Sequence, residues 1–435
     1  MQSSLEPAPG TPQICIWNQP APDGWRIVRM SDVFTRITRK IQTHDLPILT
    51  ISSKIGFMKQ EDRYNRFMAG ESLLRYTELH RGEFAYNKGN SKTYPYGCVY
   101  PLDEYERAAV PHVYYCFRSH IEIDPVFFTQ YFAGGGLNGQ LARINNAGVR
   151  GNGLLNIGAD DFFQMEVPLP PLADQRRIAS ILGSVDETIR AAKTVVDQSR
   201  QAKRGLMQLL LSGGLRKSPL KRTAIGYIPE YWTTARLGDT CDLFNGKASG
   251  TGGTRLRVFK TKHVYDGPLL MHQPEYVPDD RAGHIPLRAH LQDGDVLTPN
   301  MAHGTIGRVA FVEKAESDWT VDGQVTVIRS RDAQRLLPRF LFDYLSSSVG
   351  RKQILEREIG SVFGELRGQT HLYPKDLASI LIPVPPVDEQ VEIANQLQAL
   401  DCYSAEEERV MQQSRVLKNG LLQDLLTGRV RVPTI

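Results

Sequence analysis

The sequence predicts an α+β fold in which two mixed α/β domains are separated by two long helices. The helices are expected to pair as an antiparallel coiled coil, so that the chain is a pseudo-twofold tandem repeat. Two internal echoes carry this prediction. PLPPLADQRRIASIL (168–182) returns as PVPPVDEQVEIANQL (383–397), and QSRQAKRGLMQLLLSG (198–213) returns as QSRVLKNGLLQDLLTG (413–428). The offset is constant, and about twenty of about 49 aligned positions are identical, so the echoes are one repeated structural unit.

Bulk composition limits the class of protein. The chain has 435 residues, 41% hydrophobic and 23% charged, with a formal charge of +4. Those values suit a soluble protein of two to three domains, and a mildly basic balance permits a nucleic-acid partner. The five cysteines are odd in number and never in CxxC spacing, which disfavours a disulfide framework or a zinc site. No apolar run reaches 18 residues and no signal peptide is evident, so we expect a cytoplasmic protein without a membrane partner.

The repeated blocks are predicted to be helical. Each opens on a proline cluster, which cannot continue a strand but is tolerated at a helix start. Apolar residues then recur every three or four positions until a Ser-Gly-Gly or Thr-Gly stop. About 40 helical residues would extend roughly 60 Å. The apolar positions predicted to form the helix seam are Ile178, Leu182, Val185, Ile189, Leu206, Leu210, Ile393, Leu397, Leu400, Leu417, Leu421 and Leu425.

The charges of the two helical blocks are complementary. Residues 168–216 hold 8 Lys/Arg against 4 Asp/Glu, whereas residues 383–431 hold 5 against 8. Opposite charges along paired helices favour one partner and one orientation. The alternative is that these side chains are merely solvated helix faces, because a surface ion pair contributes only about 0–1 kcal/mol.

The segments before each helical block are predicted to be globular. Their first residues correspond, PDGWRIVRMSD (22–32) with PEYWTTARLGD (229–239), while their interiors diverge and mix short β-type runs with amphipathic pieces. The predicted organisation contains an N-terminal extension, two globular domains, two helical spacers and a linker. In chain order their boundaries are 1–21, 22–167, 168–216, 217–228, 229–382 and 383–435.

No catalytic or metal-binding signature is found. Gly134-Gly135-Gly136 and GTGGT (250–254) lack the lysine of a phosphate-binding loop, and neither HExxH nor GxSxG occurs. The ten histidines are dispersed. We therefore predict a binding protein with no catalytic residue, no metal ligand and no cofactor of its own.

The globular segments carry cationic and amide side chains beside aromatics in glycine-flanked loops. Arginine, lysine, asparagine and glutamine suit base-edge reading, and lysine suits phosphate contact. Any one of these residues could equally be a solvated surface group, and the prediction of duplex DNA binding rests on their clustering. The predicted DNA-binding residues are Lys54, Lys59, Arg63, Lys88, Asn90, Lys92, Tyr94, Arg143, Asn145, Arg150, Lys247, Arg255, Arg257, Lys260, Lys262, Asn300, His303, Arg308, Arg367 and Gln369.

The repeated PLPPxxxQxxIAxxL start and LLxG end, with the PDGW and PEYW openings, resemble the specificity subunit of type I restriction–modification enzymes. The resemblance covers nearly the whole chain. It implies that the globular segments are target-recognition domains, each reading one half of a split duplex DNA target. The helices would set the gap and dock two adenine-specific methyltransferase subunits and the motor–nuclease subunits. Those partners would use S-adenosylmethionine, ATP and magnesium, whereas this chain would be non-catalytic. The first opening, Arg29-Met30-Ser31-Asp32, departs from the family's Leu-Gly-Asp, which Leu237-Gly238-Asp239 keeps.

Two other interpretations remain open at this point. The same subunit could serve a fused cleaving-and-methylating enzyme of the type IIB sort, or a modification-only system. Alternatively, the chain could be a coiled-coil scaffold whose globules bind protein surfaces. DNA binding weakens steeply with salt in proportion to the phosphate contacts made, so a salt titration separates the scaffold from the DNA reader.

Overall fold

The computed structural model describes residues 21–43, 45–52, 55–63, 71–89, 94–144, 155–269, 275–301, 304–357, 359–360 and 370–432. The chain divides into two compact units. The first unit contains residues 1–193 and 409–435, and the second contains residues 194–408. Each long helix therefore contributes one half to each unit.

The first unit is a mixed α/β structure. Its strands are β1 (Arg26–Arg29), β2 (Phe34–Ile37), β3 (Leu49–Ser52), β4 (Gly56–Lys59), β5 (Thr77–His80), β6 (Phe84–Asn87), β7 (Cys98–Pro101), β8 (Arg107–Val110), β9 (Tyr115–Ser119) and β10 (Glu166–Leu169). Its helices are α1 (Met30–Val33), α2 (Gln60–Arg63), α3 (Pro125–Ala133), α4 (Asn138–Ile144), α5 (Ala159–Phe163) and the first half of α6 (Leu172–Gly213), with a 3-10 turn at Glu71–Arg75.

The main sheet of the first unit is antiparallel, in the order β2-β9-β6-β7. One face of this sheet is aromatic. Phe34 meets Phe117 and Phe128 at ring-centroid distances of 5.1 Å each, and Phe84 stacks on Phe117 at 5.5 Å. The same core cluster includes Leu182. The first globular segment and the helices are thus packed into one core.

The second unit repeats this plan with a different sequence. Its strands are β11 (Leu220–Thr223), β12 (Gly226–Pro229), β13 (Thr233–Arg236), β14 (Cys241–Asn245), β15 (Arg257–Phe259), β16 (Gly267–Pro268), β17 (Val296–Pro299), β18 (Ala310–Phe311), β19 (Trp319–Val321), β20 (Val325–Ser330), β21 (Ile359–Gly360), β22 (Thr370–His371) and β23 (Leu381–Val384). Its helices are the rest of α6, α7 (Leu237–Thr240), α8 (Asp279–Ala282), α9 (Pro338–Ser346), α10 (Ser348–Leu355), α11 (Pro374–Leu377) and the first half of α12 (Val387–Leu426), with 3-10 turns at Thr261–His263 and Leu287–Ala289.

The second main sheet has the order β14-β20-β17-β18-β16. Its first four strands occupy the places that β2-β9-β6-β7 hold in the first unit. The opening strand also pairs with the last strand before the helix in both units, β1 with β10 and β13 with β23. The two domains therefore share a topology that their sequences do not reveal, and the prediction of two mixed α/β domains joined by long helices is confirmed.

The two long helices run antiparallel within each unit. In the first unit, Ile178 at the start of α6 lies in the same core cluster as Leu425 at the end of α12. In the second unit, Leu210 at the end of α6 lies in the same cluster as Ile393 and Leu397 at the start of α12. The apolar stripes predicted from the repeat hold these halves together.

Both helices pass without a break through the glycines that interrupt the sequence pattern. Gly205 lies inside α6 and Gly420 lies inside α12. Each helix ends where the chain adopts a positive φ, 68° at Gly214 and 66° at Gly428, a conformation that favours glycine. None of the helices in the described ranges is long and apolar enough to cross a membrane.

The predicted seam positions differ in burial. Ile178, Leu182, Leu210, Ile393, Leu397 and Leu425 are buried, and Val185, Ile189, Leu206, Leu400 and Leu421 are half-buried. Leu417 is the exception, because its side chain is 56% exposed. The buried face runs instead through Leu422 and Leu426, and Lys418, one residue after Leu417, turns toward the partner helix. Sequence spacing placed Leu417 on that face one position too early.

Candidate nucleic-acid interface

In the first unit, the predicted DNA-binding residue Lys88 lies at one end of the main sheet. Strand β6 ends there and β9 begins there, so Lys88 directly follows the sheet beside Tyr115. The Lys88 carbonyl accepts a hydrogen bond from the Leu155 backbone N–H at 2.9 Å. We call this region, marked by Lys88, Tyr115 and Leu155, the first loop end. It joins the loop after β6 to the segment that follows residues 145–154.

The Lys88 side chain is held inside the first loop end. Its ammonium donates to the Tyr115 hydroxyl at 3.1 Å and lies 4.6 Å from the centre of that ring. The Tyr115 hydroxyl in turn donates to the Ile157 carbonyl at 2.6 Å. The Arg36 guanidinium lies 5.4 Å from the same ring. Arg36 is exposed and was missed by sequence analysis, because it lies on a strand outside the glycine-rich loops.

The second unit has an equivalent loop end. The Asn300 carbonyl accepts from the Leu372 backbone N–H at 2.9 Å, which matches the Lys88–Leu155 bond of the first unit. The Asn300 amide donates to the Gly323 carbonyl at 3.1 Å and to the Thr326 hydroxyl at 3.3 Å. Ala248 bridges the same turn at Asp322. The second loop end, marked by Asn300, Gly323 and Leu372, thus brings together three segments in which sequence analysis placed DNA contacts.

These contacts correct the prediction for Asn300. The residue is 5% exposed, and its amide is committed to the turn beneath it. Presenting that amide to a base edge would break both hydrogen bonds, including the one to the buried Thr326 hydroxyl. We therefore expect Asn300 to support the loop end.

Arg257 also has an internal role. Its guanidinium makes two hydrogen bonds to Asp318, at 2.7 and 2.8 Å, and a third to Glu316. It also lies 5.6 Å from the Trp319 ring. These carboxylates raise the pKa of Arg257, with the Asp318 hydrogen bond as the largest cause. Because Nε and Nη2 are held by these two carboxylates, we expect Arg257 to stabilise the domain and not to contact a guanine base.

Lys260 and Lys262 share one carboxylate. The Lys260 ammonium lies 2.7 Å from Glu275, and Lys262 pairs with the other oxygen of the same side chain. These hydrogen bonds lower the pKa of Glu275 to about 2. The single negative charge of Glu275 therefore neutralises one of the two positive charges of Lys260 and Lys262.

We expect Glu275→Gln to strengthen DNA binding by this chain, because it frees Lys260 and Lys262 to bind phosphates. The slope of log K against log salt should steepen by up to about 0.9 for each additional phosphate that the protein neutralises. A salt titration of duplex binding measures it, with Glu316→Gln as the control, because Glu316 pairs with Arg257 outside the candidate set. An unchanged slope would place both lysines away from DNA.

The same substitution has a pH signature. The folded-state pKa of Glu275 lies below its ordinary value of 4.5, so its ionised form stabilises the fold above that pH. This contribution is lost as pH falls through the window from 4.5 to about 2. The melting temperature of the Glu275→Gln variant should therefore lie below that of the parent at neutral pH, and the difference should shrink as the pH falls through that window.

The other described candidates differ in how free they are. Lys247, Arg255 and Arg143 are exposed, and the Arg143 guanidinium also donates to the Gly139 carbonyl at 3.3 Å. The Arg63 guanidinium donates to the Ile51 carbonyl at 2.7 Å, and Lys59 lies 3.5 Å from Glu61. Arg308 donates to the Gly304 carbonyl at 3.0 Å, and Tyr94 is half-buried. The remaining predicted residues lie outside the described residues: Lys54, Asn90, Lys92, Asn145, Arg150, His303, Arg367 and Gln369.

An aromatic platform at the second loop end was missed by sequence analysis. The rings of His371 and Tyr373 stack at a centroid distance of 5.9 Å, and the Lys375 ammonium lies 5.6 Å from the Tyr373 ring. Tyr373 is 45% exposed. An exposed aromatic beside a cation is the signal that selected Tyr94, and the stretch HLYPK (371–375) carries it too.

The GTGGT stretch is a tight loop and not a phosphate cradle. A Cβ on Gly253 would lie 1.8 Å from the Val277 carbonyl oxygen, so only glycine fits there. The Asp279 carboxylate accepts from the Thr254 backbone N–H at 3.0 Å. Within the described ranges, no group of three or more His, Cys, Asp or Glu side chains is placed to hold a metal ion.

Comparison with known families now places the chain. The profile of the type I restriction modification DNA specificity domain matches it twice, at residues 22–198 and 229–412. These matches cover most of the chain and fall on the two halves of the repeat. The protein belongs to this family, and the resemblance drawn from the repeated motif is confirmed.

Curated relatives are type I specificity subunits of distant sequence. The MjaVIII subunit of Methanocaldococcus jannaschii is 25% identical over 293 residues, 66% of this chain and 67% of that protein. The EcoKI subunit of Escherichia coli K12 is 24% identical over 65% of this chain and 60% of its own length. The EcoBI subunit of Escherichia coli is 22% identical over 86% of this chain and 82% of its own length. The chain thus spans 60% to 82% of these relatives.

Solved structures agree on the fold. The S subunit of a type I restriction-modification system from M. genitalium has a TM-score of 0.56 at 15% identity, covering 92% of this chain and 96% of that one. A chain from a structure of type I R-M complex assembly and conformational transition has a TM-score of 0.54 at 18% identity, covering 95% and 100%. At these identities the similarity establishes the fold alone.

Proposed function

We propose that this chain is the DNA-reading subunit of a type I restriction–modification complex. Its recognition domains, 22–167 and 229–382, each contact one half of a split duplex target, and the spacers 168–216 and 383–435 set the gap. The observation that carries the proposal is the repeated loop end. The main sheets of the two domains share four strands in the same order. In each, the residue after the matching strand, β6 or β17, accepts a backbone hydrogen bond from a later segment, at Leu155 or Leu372.

The proposed DNA contacts are the exposed cations and the aromatic platform at or near the loop ends. Lys247, Arg255 and Arg143 are suited to phosphates, because they are exposed cations. Tyr373 and Lys375 offer a stacking surface beside a cation. The predicted loop residues outside the described ranges remain part of the proposed reading surface.

The chain itself is proposed to be non-catalytic and to bind no cofactor. Two methyltransferase subunits and the motor–nuclease subunits would dock on the helices and supply the chemistry with S-adenosylmethionine, ATP and magnesium. Because the target is host and phage DNA, the proposal places the complex in the cytoplasm. A type IIB-like or modification-only system differs only in these partners.

The test is to express the chain with its methyltransferase partner and map modified adenines in host DNA. Methylation should occur at one split motif and vanish when the gene is deleted. Exchange of residues 229–382 for the same domain of a relative should change one half of the motif and leave the other unchanged. A change in both halves would contradict the modular reading, and exchange of residues 22–167 is the matched control.

A salt titration tests the DNA-reading proposal against the scaffold alternative. We expect log K for duplex DNA to fall linearly with the logarithm of the salt concentration. The slope should be about −0.9 for each phosphate that the protein neutralises. Lys247→Ala/Arg255→Ala should reduce the slope by up to about 2 on that scale. Lys352→Ala, which removes an exposed lysine beside Glu356 on α10, is the control and should leave the slope unchanged. A binding constant insensitive to salt would favour a protein-binding scaffold.

A further inference from the structure

A pair of charged residues on the long helices is repeated in both units. In the first unit, the Lys418 ammonium lies 2.6 and 2.8 Å from the two carboxylate oxygens of Asp186. In the second unit, the Lys203 ammonium lies 2.6 and 2.7 Å from the two oxygens of Asp401. Asp186 and Asp401 occupy the same place in the sequence repeat, as do Lys203 and Lys418. The same ion pair is therefore built twice, with the roles of the two helices exchanged.

A recognition-domain helix contacts this pair in each unit. Helices α3 and α9 are both nine residues long and begin with proline. Gln130, the sixth residue of α3, donates from its amide to Asp186 at 2.7 Å. We call Gln130, Asp186 and Lys418 the first docking cluster.

The second docking cluster contains Lys203, Arg339, Asp343 and Asp401. Asp343 is the sixth residue of α9, the place that Gln130 holds in α3, and Arg339 is the second residue. The Arg339 guanidinium bonds both Asp401, at 2.5 Å, and Asp343, at 3.3 Å. Asp343 also lies 4.0 Å from the Lys203 ammonium. Charge balances among the named residues of both clusters, because α9 brings a cation and an anion where α3 brings a neutral amide. The Arg339 guanidinium also lies 3.7 Å from Glu313.

Both α3 and α9 are also held at their first turn by the glutamine of the repeated motif. The Gln175 side-chain oxygen accepts from the Asp124 backbone N–H at 2.9 Å, just before α3. The Gln390 oxygen accepts from the Leu337 backbone N–H at 2.8 Å, just before α9. Each recognition-domain helix is thus held at its start and again along its length, α3 through Gln130 and α9 chiefly through Arg339.

Because the second docking cluster is buried, its stability depends on which charged residues it contains. Asp343 is 0% exposed, and burial raises its pKa to about 6. Within the described residues, one side-chain oxygen of Asp343 and one of Gln130 are buried without a hydrogen-bond partner. A buried carboxylate that loses its cation is strongly destabilising, whereas a neutral replacement for both partners is tolerated.

We propose that Asp186–Lys418 and Asp401–Lys203 are two copies of one positioning site that orients a recognition domain on the helices, with Gln130 and the Arg339–Asp343 pair as chemically different partners for it. Asp186, Lys203, Asp401 and Lys418 are positioning residues, because they are proposed to act on DNA reading only through the recognition domain. A thermal test of this site is independent of the proposed DNA function, whereas a methylation test rests on it.

The test converts the second cluster into the first. Residue 126 of α3, the counterpart of Arg339, is a valine, so Arg339→Val/Asp343→Gln gives α9 the composition of α3. In the full-length chain, we expect Arg339→Val alone to lower the melting temperature and the added Asp343→Gln to recover at least half of that loss. Arg331→Val, which removes an exposed ion pair with Asp242, is the control. It should lower the melting temperature only slightly, and adding Asp343→Gln should not recover that loss. Additive losses in the double variant would overturn the shared site.

The positioning role requires a second readout in the methyltransferase complex. At a temperature where it remains folded, Arg339→Val should lower the ratio of methylation at the parental gap to methylation at gaps one base pair longer or shorter, by at least threefold. The bases read should not change, and the double variant should restore the ratio. An unchanged ratio with a recovered melting temperature would mean that the cluster stabilises without positioning. Absence of methylation by the parent complex would count against the proposed function and leave the thermal result intact.

Discussion

Leu182→Asp is expected to unfold the first unit. Leu182 is 0% exposed and lies in the aromatic core cluster that also contains Leu422 and Leu425. Loss of a buried leucine side chain costs about 2–5 kcal/mol, and an uncompensated buried charge adds several more. A total unfolding free energy of about 5–15 kcal/mol leaves little margin for such a change. Circular dichroism melting and co-purification with methyltransferase subunits measure the loss, and Leu397→Asp should have the same effect on the second unit.

Leu417→Asp is the control for this prediction. Leu417 belongs to the same sequence stripe but is 56% exposed, so the charge stays in solvent. We expect its melting temperature to remain within a few degrees of the parent. Equal losses for Leu182→Asp and Leu417→Asp would mean that the substitutions act through helix formation and not through core burial.

Shortening both helices by seven residues is expected to change the gap between the half-sites. Removal of residues 192–198 and 407–413 deletes equivalent positions and keeps Asp186, Lys203, Asp401 and Lys418 in place. Seven residues are nearly two full turns, so the apolar face keeps its direction while each helix loses about 10.5 Å. At about 3.4 Å per base pair, the preferred gap should shorten by about three base pairs.

Methylation mapping of the shortened complex measures this change. The bases of each half-site should be those of the parent, because both recognition domains are intact. Deletion of the seven residues from α6 alone is the control and should abolish methylation, since the helices would no longer match in length. A shortened protein that methylates the parental motif at the parental gap would show that helix length does not set the spacing.

The sequence was most informative where the chain repeats itself. The shared positions of the repeat predicted the helices, and among them Gln175, Asp186 and Lys203 now have identified contacts. Hydrophobic spacing found the buried face of the helices with one misplaced residue. These features are predictable because helix periodicity and duplication are local properties of the sequence.

The availability of individual donor groups was less predictable. Arg257 and Asn300 carry suitable donors, but residues far away in the sequence accept their hydrogen bonds. These acceptors are Asp318 for Arg257 and Gly323 for Asn300. Conversely, Tyr373 is exposed while its ring stacks on His371 at the edge of the domain. Composition reports which groups a loop carries, whereas tertiary contacts decide which of them remain available.

The backbone bonds from Leu155 to Lys88 and from Leu372 to Asn300 have a consequence for how such a protein can change over generations. Both bonds use main-chain atoms, which every residue except proline supplies in the same form. Substitutions at Lys88, Leu155, Asn300 or Leu372 therefore keep these bonds available, except where proline replaces Leu155 or Leu372. Because we propose that the loop ends contact DNA, side-chain changes there would alter the sequence preference of the protein while these backbone bonds persist.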